Sequence, residues 1–305
     1  MKSLSEFAGC PRGMTVVITD SGLGGLQIGA ELERRLRRTG GDAAVHLIYF
    51  NAWPDARHGF NDLPDLAARA GVFDQALAAM TVFGPDLILI ACNTLSVVYE
   101  ATAFRRAPAV PVTGILDEGA GLFCEALIRD PQGVLVLFGT RTTIGSGEHV
   151  ARLARCGVDP RRVITEPCHG LAAAIDKNPD SPALPGMVEE CVARVAPRLP
   201  AGAPLYAGLA CTHYAYVAEA FQASLGRHAK AKIVVIDPGK RLVDNLMEGL
   251  TARKPGNGDR RVSIEVVSKI ELPEAQRLAV ARRIEPRSSA TARALLEYRH
   301  VPDLF

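Results

Sequence analysis

The chain has 305 residues, of which 48% are hydrophobic and 22% charged, and its formal net charge is +2. That length points to two domains or one large one, and the near-neutral balance gives no reason to expect a nucleic acid or an anionic membrane surface as partner. The longest apolar runs, "LILIA" and "GVLVLFG", are far too short to span a bilayer.

Taken in order, "MKSLSEFAGCPRG" carries no continuous apolar stretch, so the first dozen residues read as a loose leader rather than a signal peptide, and a cytoplasmic protein is expected. "MTVVITD" predicts a strand that ends at a glycine-rich turn, followed by a helix over "GGLQIGAELERRLRRTG". Next come the strand "AVHLIYF", a helix across 64–83, the strand "PDLILIAC", a helix from "NTLSVVYEATAF" and the strand "APAVPVTGI". The second half repeats the rhythm: "GVLVLFGT", a helix near 145–156, "RRVITEP", a helix near 183–196, "APLYAGLAC", a helix after "THYAYVAEAF", and "AKIVVIDP". Continuous apolar strands alternating with helices predict doubly wound parallel α/β sheets, covered on both faces. "TARKPGNGDRR" at 251–261 reads as a turn or linker, "RVSIEVVSKIEL" as a strand and "SSATARALLEYR" as a short Ser-capped helix.

Landmarks recur at a nearly constant interval. Asp20 and Thr140, each opening the turn after its strand, lie 120 residues apart; Cys92 and Cys211, each after a later strand, lie 119 apart; Asn51 and His169 lie 118 apart. Two copies of one α/β unit are expected, with ligands gathering outside the carboxyl ends of the strands. Asp20, Asn51, Cys92, Thr140, Cys168 and Cys211 fall at those ends, and two such edges facing each other would enclose a cleft.

Seven cysteines, an odd number and widely spread with no CxxC pair, argue for reduced thiols rather than a disulfide framework or a zinc site. "ACNTL" (91–95) and "ACTHY" (210–214) place two of them in matching settings. A cysteine after an apolar strand is usually a small buried hydrophobe. A matched pair suggests instead that one thiol removes a proton from one face of a carbon while the other returns it to the opposite face. That is racemisation or epimerisation, with no metal or cofactor required. The developing carbanion needs aimed donors, for which Asn93, Thr94 and Thr212 are suited. Asp20 and His213 are placed to help their neighbouring thiols change protonation state. "GLGG" lacks the spacing of a dinucleotide fingerprint and the Lys-Ser/Thr of a Walker loop, so nucleotide binding is set aside.

"VVITDSGLGGL" (16–26), "IACNT" (90–94), "GTRTTIGS" (139–146) and "ACTHY" (210–214) together resemble the signature stretches of the cofactor-independent glutamate racemases, in the aspartate/glutamate racemase superfamily. The resemblance runs from about residue 14 to about 250. It implies two pseudo-symmetric domains with the active site between them, the first formed by 14–115 plus 232–305 and the second by 116–231. It implies a two-base mechanism with Cys92 assisted by Asp20 and Cys211 assisted by His213. Ser21, Asn93, Thr94, Thr140, Thr143 and Thr212 would line the substrate site. No cofactor or metal, a small acidic amino acid as substrate, a homodimer, and a role in supplying D-glutamate to peptidoglycan follow as expectations.

Three departures stand out. The family's Pro-Tyr-Gly motif falls in "NAWPDARHGF", where Arg57, His58 and Gly59 match best, so His58 replaces tyrosine. Asp176 stands where the family has glutamate, one methylene longer, and "CHGLAAA" replaces a proline-bearing loop. These changes leave aspartate racemase or another isomerase as alternatives on the enzyme side. A catalytically weak binding protein with the same fold is the alternative from another class.

Overall fold

The computed structural model describes residues 13–39, 44–55, 57–251 and 260–305. The expected leader lies outside them, as do residues 252–259 of the expected linker. The chain divides into two units, 1–114 with 239–305, and 115–238.

The first unit begins with β1 (Met14–Asp20), α1 (Leu26–Arg38), β2 (Val45–Asn51), α2 (Leu66–Thr81), β3 (Leu87–Ile90), α3 (Asn93–Tyr99) and β4 (Val112–Gly114). β1 pairs in parallel with both β2 and β3, and β3 with β4. Val16, Val17, Ile18, Leu47, Ile88 and Leu89 are almost wholly buried, as strands covered on both faces must be. α1 is amphipathic: Leu26, Ile28, Ala30, Leu32 and Leu36 are buried, while its last turn carries Arg35, Arg37 and Arg38, which suit the negative end of the helix dipole. Truncating a residue such as Leu36 to alanine would cost about 2–5 kcal/mol.

The second unit holds α4 (Ile115–Arg129), β5 (Val134–Gly139), α5 (Arg141–Gly145), α6 (Glu148–Arg155), β6 (Val163–Pro167), α7 (Leu171–Lys177), α8 (Leu184–Val195), β7 (Leu205–Ala210), α9 (Ala218–His228) and β8 (Ile233–Ile236). Its strands are ordered β6-β5-β7-β8, all parallel. The equivalent order, β2-β1-β3-β4, makes up four of the six strands of the first sheet, with β4 at its edge. In both units the sheet changes winding direction beside its first strand, so the switch-point crevice lies between β1 and β3 in one and between β5 and β7 in the other. The helix expected near 145–156 is α6, set off from the short preceding α5 by Gly147, which takes a left-handed φ of +69°. The helix after "CTHY" begins as a 3₁₀ segment, Thr212–Val217, before α9.

The expectation returned the chain to the first unit at 232. The division falls at Pro238–Gly239 instead, because β8 is hydrogen-bonded to β7. α10 (Pro238–Thr251) follows, tied to α1 by Arg35 Nη1 and Asp244 Oδ1 at 2.5 Å. Then β9 (Val262–Ser268), α11 (Glu274–Ile284), α12 (Ser289–Leu296) and β10 (Arg299–His300) complete the unit. β9 pairs with β2 and β10 with β9, both in parallel, so the C-terminal extension covers an edge of the first sheet. Asn51 Nδ2 donates to Ser268 Oγ at 3.1 Å, and Phe305 packs against Phe50 with ring centroids 5.7 Å apart.

Candidate active site

In the first unit, register brings the ends of β1 and β3 level: Thr19 pairs with Ile90, and Ala91 N donates to Thr19 O at 2.9 Å. Asp20 is fully buried there, with Cys92 following β3 beside it. Cys92 caps α3, its sulfur accepting from Leu95 N at 3.5 Å, and Ser21 Oγ lies 3.2 Å from the same sulfur. Burial pushes the Cys92 thiol well up, and the Asp20 carboxylate adds to this; Ser21 and the helix amide oppose it. The neutral thiol is therefore the resting form.

Two features the sequence reading passes over hold this arrangement. Tyr49 Oη donates to Gly22 O at 2.6 Å, pinning the turn that carries Ser21. A Cβ at Gly25 would sit 2.9 Å from Asp20 Oδ2 and 3.0 Å from Ala91 Cβ, so glycine is needed for close packing rather than for binding phosphate. Asn93 and Thr94 open α3 and are almost fully buried. The Asn93 side-chain amide has no hydrogen-bond partner at either Nδ2 or Oδ1 among the described residues. Leaving such groups unmet costs roughly 1–3 kcal/mol each, so a polar partner at this amide would be favoured.

In the second unit, Gly139 pairs with Ala210, so Thr140 and Cys211 emerge side by side. Cys211 Sγ lies 3.7 Å from His213 Nδ1, and His213 Nε2 lies 2.7 Å from Asp176 Oδ1. All three residues are buried. The one-methylene shortening at Asp176 does not break the contact: α7 places this carboxylate within hydrogen-bonding distance of the imidazole. Burial alone would push His213 down, but its bonds to Asp176 and Cys211 outweigh burial and hold it well above the usual histidine range. Thr140 caps α5, accepting from Thr143 N at 3.2 Å and donating to Thr143 Oγ1 at 3.0 Å. Thr212, next to Cys211, is buried. Tyr214, from the same motif, donates to Gly139 O and Cys168 O, both at 3.2 Å, and so clamps the ends of β5 and β6. Its tyrosine in "CTHY" was the available signal for that role.

The remaining candidates have other partners. Cys168 follows β6, its thiol pushed up by burial and by Cys191. Asn51 spends its amide on Ser268 and on Trp53 N. His58 is exposed and bonds Asp55 through Nδ1 at 3.3 Å, while Gly59 is buried under Trp53 with its amide on Asp62. Among the described residues no group of three or more His, Cys, Asp or Glu side chains is arranged to hold a metal ion.

The Asp/Glu/hydantoin racemase family model matches residues 23–246. A glutamate racemase of Cereibacter sphaeroides is 31% identical over 257 residues, covering 79% of this chain and 86% of the relative. One from Pseudomonas putida is 30% identical over 247 residues, covering 80% and 84%. Among solved structures, the glutamate racemase of Francisella tularensis in complex with D-glutamate superposes with a TM-score of 0.67 at 19% identity, covering 95% of each chain; at that identity the likeness concerns the fold. The motifs, the paired parallel-sheet units and these relatives lead to one conclusion: the chain belongs to the Asp/Glu/hydantoin racemase family.

Proposed function

We propose that the chain interconverts L- and D-glutamate without a cofactor, with Cys92 and Cys211 serving opposite faces of one Cα. The observation that carries this reading is the buried Cys211–His213–Asp176 relay, at the strand end equivalent to that of Cys92 in the repeated unit. An imidazolium donating from Nδ1 is the partner a sulfur anion needs, so Cys211 begins as the base. Cys92, kept neutral by burial and by Asp20, begins as the acid.

Cys211 takes the Cα proton, and the electron pair delocalises into the substrate carboxylate. Cys92 then delivers its proton to the other face. One turnover leaves the proton on Cys211 and the anion on Cys92, which is the form that accepts the opposite enantiomer. Asp20 disfavours the Cys92 anion and so promotes its return to the thiol. Asn93 and Thr94 on one side, and Thr140, Thr143 and Thr212 on the other, would hold the carboxylates and amine, with Ser21 beside the Cys92 sulfur. The names of the relatives at about 30% identity support glutamate as the acid.

A homodimer, and a cytoplasmic role supplying D-glutamate for peptidoglycan, belong to the same proposal and rest on the family resemblance. No described helix is long and apolar enough to cross a membrane. The test is chiral chromatography of L- and D-glutamate, and of L- and D-aspartate, after incubation with the purified chain and no additive. Glutamate converging on the racemic mixture from both sides supports the reading; conversion of aspartate alone, or of none of the four, overturns it.

A further inference from the structure

Beyond the racemase site, we infer that a cavity between α1 and α12 binds the phosphate group of a small molecule. The cavity has a volume of about 430 Å³ and is lined by Arg34, Arg37, Arg38, Arg287 and Arg293, with Glu33 as the only carboxylate among the described residues of its wall. That carboxylate is already taken: Arg37 Nε donates to Glu33 Oε1 at 2.7 Å and Ser288 Oγ to Glu33 Oε2 at 2.7 Å. Arg34 is held by Glu31, and Arg287 reaches Glu31 only at 3.8 Å. Arg38 and Arg293 have no ion-pair partner among the described residues.

The wall also includes Ser288, Ser289 and Ala290, the cap and first turn of α12. Thr291 N is bonded to the capping Ser288 Oγ at 3.0 Å, so the cap is formed and the first-turn amides add a positive end to the guanidinium groups. Arginine in a concave setting recognises phosphate through paired N–H donors, and a volume of this size suits a small molecule. The whole chain carries only +2, which gives it no general attraction for a nucleic acid or an anionic lipid surface. None of the residues lining this cavity is among those assigned to the proposed racemisation, so the two sites share no side chain.

The test is isothermal titration of the full chain with inorganic pyrophosphate at physiological ionic strength, repeated with inorganic phosphate and with ATP. One-to-one binding with Kd below about 1 mM is expected, weakened about tenfold or more in each of Arg38→Ala and Arg293→Ala. Both side chains are exposed, so circular dichroism should show the fold retained, and racemisation by both variants should match the parent. ATP binding more tightly than pyrophosphate marks a nucleotide, and equal binding marks the phosphate group alone; both support the inference. No saturable binding by any of the three, equal binding by parent and both variants, or saturable binding only to a duplex DNA oligonucleotide overturns it.

Discussion

Asp176→Asn isolates the charge in the Cys211–His213–Asp176 relay. The carboxylate lies 2.7 Å from His213 Nε2 with both side chains at or below a tenth exposed. Asparagine keeps an acceptor at nearly the same place but removes the negative charge. Burial, the largest influence on His213, is then opposed mainly by Cys211, and the imidazole is expected to be neutral at pH 7. Loss of one charge-assisted buried bond costs about 1.5–3 kcal/mol of stability. This is less than the 3–5 kcal/mol of a stranded charge, because the ring can shed its proton.

In the parent, the raised His213 contributes stability that is fully present below about pH 6.5 and is lost as pH rises through its elevated value. The variant lacks that fall. Because Asp176 acts through His213, kcat should drop about 10²-fold, at the low end of general acid–base assistance, with little change in KM. The assay is nitrogen-15 NMR of the His213 ring across pH, beside kcat in both directions. An unchanged His213 titration, or full kcat in a variant with shifted titration, refutes the reasoning.

Cys92→Ser and Cys211→Ser should each abolish racemisation in both directions, by at least about 10³-fold, with the fold intact by circular dichroism; near-parent turnover in either would refute the two-base assignment. His149, buried with neither ring nitrogen bonded among the described residues, is pushed down to about 3 by burial and then by Arg152. The unfolded state therefore binds the proton first, and stability is lost as pH falls below about 6.5, by about 2 kcal/mol between pH 7 and pH 5. His149→Leu should remove that loss in urea titrations at the two pH values; parallel falls in parent and variant would contradict it. Gly25→Ala, whose Cβ would press on Asp20 and Ala91, should cost about 1–3 kcal/mol by thermal unfolding and lower kcat, and an unchanged Tm would sink the packing argument.

The α/β class is legible in the sequence because strands covered on both faces read as continuous apolar runs. The placement of Asp20, Cys92, Thr140 and Cys211 is legible for the same reason, since each directly follows such a run. The repeat is visible as an interval and becomes a shared strand order only when pairing is known. Contacts between distant residues leave no local pattern: Asp176 is 37 positions from His213, and "LAAAIDK" does not announce that its helix carries a buried carboxylate. The extension reads as a strand and a helix, but its pairing with β2 is a tertiary choice. Gly25 and Gly147 look alike in sequence, yet one is fixed by close approach and the other by a left-handed φ. His58 draws notice through a family motif, whereas its contact with Asp55 comes from the fold of its own loop.

The most direct test of the two-thiol account is proton NMR in D₂O, started separately from L- and from D-glutamate and followed over the first few per cent of turnover. Two bases predict that the newly formed enantiomer carries deuterium at Cα while the remaining substrate keeps its proton. Deuterium entering substrate and product together from the outset would mean that one group serves both faces, and would contradict the account.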